Sequence, residues 1–245
     1  MPSALVVGGG RRIGAGIVRG FARRGYDVGF TYRQSADRVD ELIGYCQSLG
    51  VQCHAAFADL TDEHQSRNAY DTLTDQLGAL PDVVISNAGV FPDPVTVEEL
   101  TPETVRWAMD VNLIPITVLA AWYSKQQVPG ANKRRLIAIT SLGATEVWKD
   151  RLAYNASKAA LAMAVKSLAR SLAPGISVNS VAPGAIMFPE ETTTADTAVS
   201  SVDRIPMQRY GSIDDIFDAV WFFATSSTYI TGQVIAVDGG YGLVR

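Results

Sequence analysis

Tyr154 and Lys158 stand four residues apart in the stretch YNASK. On a helix this spacing puts both side chains on one face. A free tyrosine ionises near pH ~10, and an ammonium beside it favours the phenolate. A phenol tuned toward neutral pH can give or take a proton during carbonyl reduction. Y-x-x-x-K alone is common on helix surfaces, so the pair needs other residues before it means chemistry.

A second group of candidates opens the chain. In VVGGGRRIG, Val6 to Gly14, the residues Gly8, Gly9, Gly10 and Gly14 follow a short apolar run and lead into a helical pattern. Glycines there let the backbone approach a pyrophosphate, and the helix N-terminus offers free N–H groups and a favourable dipole. G-x-G-x-x-G spacing is not met, because Arg12 stands where another glycine is expected. The next strand ends in TYRQS, Thr31 to Ser35, with no acid until Asp37. An acid at the end of that strand would hold the ribose 2′-hydroxyl of NAD and repel a 2′-phosphate. Arg33 and Ser35, beside Tyr32, would bind one instead. With Arg11 and Arg12 they read as a cationic pocket for NADP(H), guanidinium matching phosphate in a bidentate way. The other reading, most open for Arg11, is a side chain turned to solvent.

The elements that must position these groups follow from periodicity. Apolar runs at Ala4–Val7, Asp27–Tyr32, Val51–Ala58, Val83–Ser86, Arg135–Thr140, Ile176–Ala182 and Gln233–Gly240 read as strands. Ile13, Ile17 and Phe21 mark a first helix face ending at Gly25, and further helices are expected around 36–48, 62–77, 102–127, 152–172 and 212–225. Such alternation implies an α/β fold: one domain over 1–245 with a parallel sheet covered on both faces. The polar stretch 187–205, rich in Thr, Ser and acids, is expected to be a substrate lid or a disordered loop.

Bulk composition excludes several classes. The chain has 245 residues, 47% hydrophobic and 19% charged, with a net charge of −4, so wholesale binding to nucleic acid or an anionic membrane is not expected. Two cysteines, Cys46 and Cys53, and two histidines, His54 and His64, do not make a metal site, and the thiols read as reduced, half-buried groups of a cytoplasmic protein. No run of 18 apolar residues is present, and Gly8 to Arg12 interrupts the apolar start, so neither a membrane span nor a secretory leader is expected.

The supporting residues for Tyr154 and Lys158 do occur, in order: Asn87-Ala88-Gly89 after the fourth strand, Asn112 in MDVNLIP, Ser141 after the fifth strand, Pro183-Gly184 after the sixth, and YITGQVIAVDGG near the end. Together they resemble the short-chain dehydrogenase/reductase family over essentially the whole length. The resemblance implies a doubly wound, Rossmann-type sheet of seven parallel strands, and a catalytic tetrad of Asn112, Ser141, Tyr154 and Lys158. Tyr154 would be the acid, Lys158 would bind the nicotinamide ribose and lower the tyrosine pKa, Ser141 would orient the substrate, and Asn112 would hold a relay water. Gly8, Ile13 and Gly14 would line the phosphates. Asp59 and Leu60 would contact adenine, Asn87, Ala88 and Gly89 the adenosine ribose, and Pro183, Gly184 and Ile186 the nicotinamide. The family also implies a homotetramer built on the helices that carry Asn112 and Tyr154.

Departures from the family pattern speak to substrate. Val7 and Arg12 replace the usual Thr and Gly, and GGGRRIG resembles the pteridine reductase branch, which includes dihydromonapterin reductases. Phe91 stands where that branch places a ring that stacks on the pterin; an ordinary core or rim phenylalanine is the other reading. Phe188 follows the Pro-Gly segment as a substrate contact or a lid anchor, and Trp148 lines the pocket or packs at its rim. Ser141, by contrast, suits a ketone. A pteridine is the favoured substrate, with 3-oxoacyl-[acyl-carrier-protein] reduction or general ketone reduction as the enzymatic alternative. KRR, Lys133 to Arg135, is a solvated strand entrance or an acyl-carrier surface. A non-enzymatic NADPH-binding scaffold is the remaining alternative, weakened by the intact tetrad.

Overall fold

The computed structural model describes residues 1–34, 36–126, 134–188 and 201–244, the side chains of residues 36 and 37 excepted. Ser35, Lys133 and most of the expected lid therefore lie outside the described residues.

Seven strands form one sheet: β1 (Ser3–Val7), β2 (Asp27–Tyr32), β3 (Cys53–Phe57), β4 (Val83–Ser86), β5 (Arg134–Ile139), β6 (Ile176–Pro183) and β7 (Val234–Val237). Their order is β3-β2-β1-β4-β5-β6-β7, and every pairing is parallel. All residues of β1, β4 and β6 are buried, because helices cover both faces and no strand face needs a polar side. Between strands run α1 (Arg12–Arg23), α2 (Ala36–Ser48), α3 (Glu63–Leu77), α4 (Pro102–Asn112), α5 (Ile114–Lys125), α6 (Leu152–Leu172) and α7 (Ile213–Thr225). One core cluster joins α1, α2 and α7 to the sheet; another joins α3, α5 and α6 to its opposite face. The expected doubly wound sheet is present.

Two local features differ from expectation. The helix expected over 102–127 is two helices, meeting at Leu113. Pro115 is the reason: it has no N–H to continue the ladder, and its ring crowds the carbonyl four residues back. The break leaves Asn112 as the last residue of α4. Secondly, Arg134 and Arg135 do not make a solvated entrance. Arg134 donates to the Tyr123 and Gln126 carbonyls at 2.8 Å, and Arg135 to the Ser226 carbonyl at 2.8 Å. The two arginines tie β5 to the ends of α5 and α7.

Helix α1 carries the glycine turn and is anchored by Phe21, fully buried against Tyr26, Phe217 and Trp221 at ring-centre distances of 5.3, 5.5 and 6.1 Å. Phe21→Ala is expected to destabilise the protein by about 3–5 kcal/mol, read as a lower urea midpoint in equilibrium unfolding.

Candidate active site

Six strand ends deliver the candidate residues to one edge of the sheet. The order reverses between β1 and β4, where crossovers leave in opposite directions and a crevice opens beyond the carboxyl ends. Gly8 leaves β1 at φ +82°, a conformation that glycine adopts without strain. Its N–H donates to Thr31 Oγ1 at 2.9 Å, and Asn87 Nδ2 donates to its carbonyl at 2.6 Å. A Cβ on Gly14 would lie 2.0 Å from that carbonyl oxygen, so only glycine lets α1 start so close to β1. No acid occupies the first turn of α1 and no side chain caps it, so its N–H groups and dipole face the crevice.

Arg12 adopts φ +48°. This is the left-handed region, which costs a non-glycine residue about 1–2 kcal/mol. The backbone thus has the shape a glycine would take, and the arginine is held there. Its guanidinium lies 4.9 Å from the centre of the Phe188 ring. Arg11, Arg12, Arg19 and Arg38 line one cleft of about 400 Å³, with Phe188 and Ile213 on its apolar side. Phe188, expected as a substrate contact or a lid anchor, lines this cleft beside Arg12. Arg19 and Arg38 are additions that sequence reading missed. Arg38 lies in the first turn of α2, five residues after Arg33, and that placement was the available signal.

Arg33 is turned another way. Its Nε lies 3.3 Å from Asp59 Oδ2, pairing two cofactor candidates with each other. Asp59 also accepts from the Thr61 hydroxyl and backbone N–H at 2.7 and 3.0 Å, and these bonds hold its carboxyl below the ordinary range. Tyr32 packs edge-on against Phe57, and Leu60 lies against the core. After β6, the run Pro183 to Ile186 is held from two sides: Gly184 N–H donates to the Val237 carbonyl at 3.0 Å, and Gly211 N–H to the Ala185 carbonyl at 2.9 Å. Ile186 is buried there.

The tetrad converges. Asn112, Ser141, Tyr154 and Lys158 are all buried. Ser141 lies beside the Tyr154 phenol and favours its ionised form, and its Oγ accepts from Gly143 N–H at 3.1 Å. Asn112 has committed its side chain: Oδ1 accepts from Val90 N–H at 2.7 Å, and Nδ2 donates to the Val90 carbonyl at 3.2 Å and to Ser157 Oγ at 2.9 Å. Its side chain therefore fixes the loop carrying Gly89 and Phe91. Lys158 Nζ donates to the Ile139 carbonyl at 3.3 Å and lies 5.9 Å from the centre of the Tyr154 ring. A Cβ on Gly89 would meet Asn112 Oδ1 at 3.0 Å and Lys158 Nζ at 3.2 Å, so this glycine makes room for both.

Electrostatics in the ligand-free site differ from the expected lysine-tuned phenol. Burial pushes Tyr154 up to about 12, against smaller lowering by Ser141 and by Arg151. Burial also pushes Lys158 down to about 8. Desolvation outweighs mutual attraction because both groups are removed from water. Around the phenol stand Phe91, 4.6 Å away and nearly perpendicular, and Trp148, 5.8 Å away and stacked at 11°. Of the expected substrate residues, Phe91, Ser141, Trp148 and Tyr154 are thus gathered in one place. Among the described residues, no group of three or more His, Cys, Asp or Glu could hold a metal, and no helix is long and apolar enough to cross a membrane.

Comparison with known proteins agrees with this geometry. A family model described as enoyl-(acyl carrier protein) reductase matches residues 8–242. The chain belongs to the short-chain dehydrogenase/reductase family and is an oxidoreductase. It is 30% identical to the 3-oxoacyl-[acyl-carrier-protein] reductase of Staphylococcus epidermidis, over 97% of this chain and 98% of that one. A short-chain dehydrogenase from Burkholderia cenocepacia in complex with NADP superposes with a TM-score of 0.89 at 32% identity, covering 98% of both chains. Acetoin dehydrogenase from Enterobacter cloacae gives 0.89 at 28% identity, covering 100% of this chain and 96% of that one.

The buried ammonium carries a testable cost. Between pH 8 and 10.5 the native lysine releases its proton while the unfolded one keeps it, so Lys158 makes stability rise with pH in that window. Lys158→Met removes the desolvated charge. It is expected to abolish turnover, to raise stability at neutral pH by up to about 3 kcal/mol, and to lose that rise. Urea unfolding over a pH series checks this; a variant weaker at every pH contradicts it.

Proposed function

We propose that this chain uses NADPH to reduce a small ketone. The observation that carries the reading is the Tyr154 phenol, kept protonated by burial, with Ser141 from the end of β5 and Lys158 of the same helix buried beside it. The glycine turn fits a dinucleotide, since backbone alone fills the approach to α1. When bound, the cofactor supplies the hydride. Arg11 and Arg12 would face its phosphates together with Gly8, Ile13 and Gly14. Arg33 and Ser35, with Tyr32, would serve the 2′-phosphate end, and Asp59 and Leu60 the adenine. Asn87, Ala88 and Gly89 would follow the ribose, and Pro183, Gly184 and Ile186 the nicotinamide. The NADP complex of the Burkholderia relative supports this choice.

Ser141 and Tyr154 offer hydroxyls to one substrate oxygen. Ser141 orients the carbonyl, and Tyr154 protonates the oxygen as the carbonyl carbon is reduced. Lys158 holds positive charge behind the phenol, which stabilises the phenolate left after transfer. Asn112 keeps the Val90 loop, and so Phe91, in register with the acid.

Ring positions favour a small substrate. Phe91 and Trp148 close on Tyr154, and the Arg151 guanidinium lies 4.0 Å from the centre of the Phe91 ring, covering one of its faces. The pteridine expectation rested on the GGGRRIG form, with Phe91 and Phe188 as two further positions; the relatives favour a ketone-type substrate over a pteridine. A 3-oxoacyl thioester remains the second reading because of the Staphylococcus relative. The expected homotetramer is retained as part of the proposal: Trp107, Ile114, Leu152 and Met163 leave apolar surface on α4, α5 and α6, and sedimentation of the purified protein tests it.

Incubation with NADPH and diacetyl, acetoacetyl thioester or dihydrobiopterin, followed by loss of nicotinamide absorbance, is expected to show turnover of diacetyl and none of the pterin. Pterin turnover without ketone turnover would overturn the reading. Arg12→Gly separates grip from strain. It is expected to weaken NADPH binding about tenfold, the loss of one charged hydrogen bond, while thermal stability holds or rises as the left-handed strain is relieved. Tryptophan-fluorescence titration and thermal melts read the two effects, and parallel NADH titration should show weaker binding in the parent.

A further inference from the structure

Arg151 lies three residues before Tyr154, immediately ahead of α6. Its Nη1 donates to the Pro92 carbonyl, and its guanidinium lies 4.0 Å from the Phe91 ring centre. Next to it, Val95 N–H donates to the Asp150 carbonyl at 2.9 Å. Two successive residues ahead of α6 therefore tie down the loop that follows β4. Phe91 in turn meets the Tyr154 ring at 4.6 Å. The guanidinium meets the phenyl ring and the phenyl ring meets the phenol, while Trp148 packs against both rings, 6.0 Å from Phe91 and 5.8 Å from Tyr154. Planar guanidinium stacks on an aromatic face while its edge still donates hydrogen bonds.

We propose that Arg151 is a positioning residue for the acid, holding Phe91 against Tyr154 and keeping a guanidinium charge beside the phenol. This rests on the reading of Tyr154 as the proton donor. The charged and titratable groups around the phenol are Lys158 and Arg151 on and beside α6 and Ser141 from the end of β5, with Asp93 on the loop after β4 acting on Arg151. Arg151 and Ser141 both favour the phenolate over the burial that opposes it. Asp93 favours the charged guanidinium, which burial otherwise disfavours.

The consequence has a definite sign. Reduction needs the protonated phenol, so its rate falls as pH rises through the tyrosine pKa. Oxidation of the alcohol needs the phenolate: the hydroxyl proton passes to Tyr154 as hydride leaves the carbinol carbon for NADP, so this rate rises through the same pKa. Loss of the Arg151 charge moves both limbs to higher pH.

The test compares parent, Arg151→Met and Arg151→Lys, each checked for fold by circular dichroism. Reduction of diacetyl and oxidation of acetoin are followed across pH, and the Tyr154 phenol is titrated by ultraviolet difference spectroscopy against a Tyr154→Phe control. For Arg151→Met, both limbs and the spectroscopic titration should move to higher pH, and acetoin oxidation below the limb should drop several-fold with that shift. Arg151→Lys keeps the charge, so its profile should stay near the parent while the KM for diacetyl rises as the flat stack on Phe91 is lost. If Arg151→Met lowers kcat with an unchanged profile and titration, the residue is only a clamp and the proposal fails. If Arg151→Met does not fold, a Lys variant whose limb moves by a full unit overturns it equally. The spectroscopic titration needs no turnover, so an error in the chosen substrates would show as absent activity in the parent without obscuring the role of Arg151.

Discussion

An ammonium group held out of water is the constraint around which this site is built. Lysine is almost never fully buried without a partner, yet Lys158 is 5% exposed and its amine donates to the Ile139 carbonyl. Each neighbour makes sense from that placement. Gly89 must lack a side chain because Asn112 and the amine occupy the space a Cβ would need. Asn112 spends its whole side chain on Val90 and Ser157, so the loop over the amine is fixed by hydrogen bonds. A dry site strengthens electrostatic interactions with a bound reactant, and the same dryness costs stability. Catalytic sites commonly hold such tension between activity and stability.

The sheet supplies the geometry that makes a dry site possible. A parallel sheet with helices on both faces leaves the carboxyl ends of its strands at one edge. Here those ends carry Gly8, Arg33, Asp59, Asn87, Ser141 and Gly184. Close packing at the reversal point is backbone against backbone, with Gly14 against the Gly8 carbonyl and Asn87 bonded to that same oxygen. Arg12 adds a charge at the point where the chain needs left-handed backbone. The arginine accepts that strain and reaches the cleft, where a glycine would relieve the strain and contribute no charge.

Three rings delivered by separate segments bound the space beside Tyr154. Tyr154 comes from α6, Phe91 from the loop after β4, and Trp148 from the loop between β5 and α6. Gly143 lets the Tyr154 and Trp148 rings close up, since a Cβ there would lie 2.8 Å from Tyr154 Cε1 and 3.3 Å from Trp148 Cζ3. Arg151 lies over Phe91. That space is therefore set by packing among side chains that are 63 positions apart at the extremes, Phe91 and Tyr154.

Much of this was legible in the chain itself. Apolar runs of strand length separated by helical periodicity imply a parallel sheet, because burial on both faces removes alternation, and all seven strands lie where those runs occur. Tyr154 and Lys158 declared themselves by helical spacing, and Ser141, Asn112 and the glycine turn by their places at element ends. Pro115 was equally visible, yet the split between α4 and α5 was passed over, since hydrophobic periodicity runs through it. Other properties depend on long-range contact and could not be read locally. Proximity of lysine and tyrosine predicts a lowered phenol, but burial by distant segments reverses the sign. Phe188 looked like a substrate contact or a lid anchor by position, and its ring lies with Arg12 because folding returns that segment to α1. Charges at 134 and 135 looked solvated until carbonyls of α5 and the end of α7 were found beside them. Residue type and spacing determined which groups are available and which elements carry them; desolvation and ring packing, which depend on everything brought within a few ångströms, were decided by the tertiary structure alone.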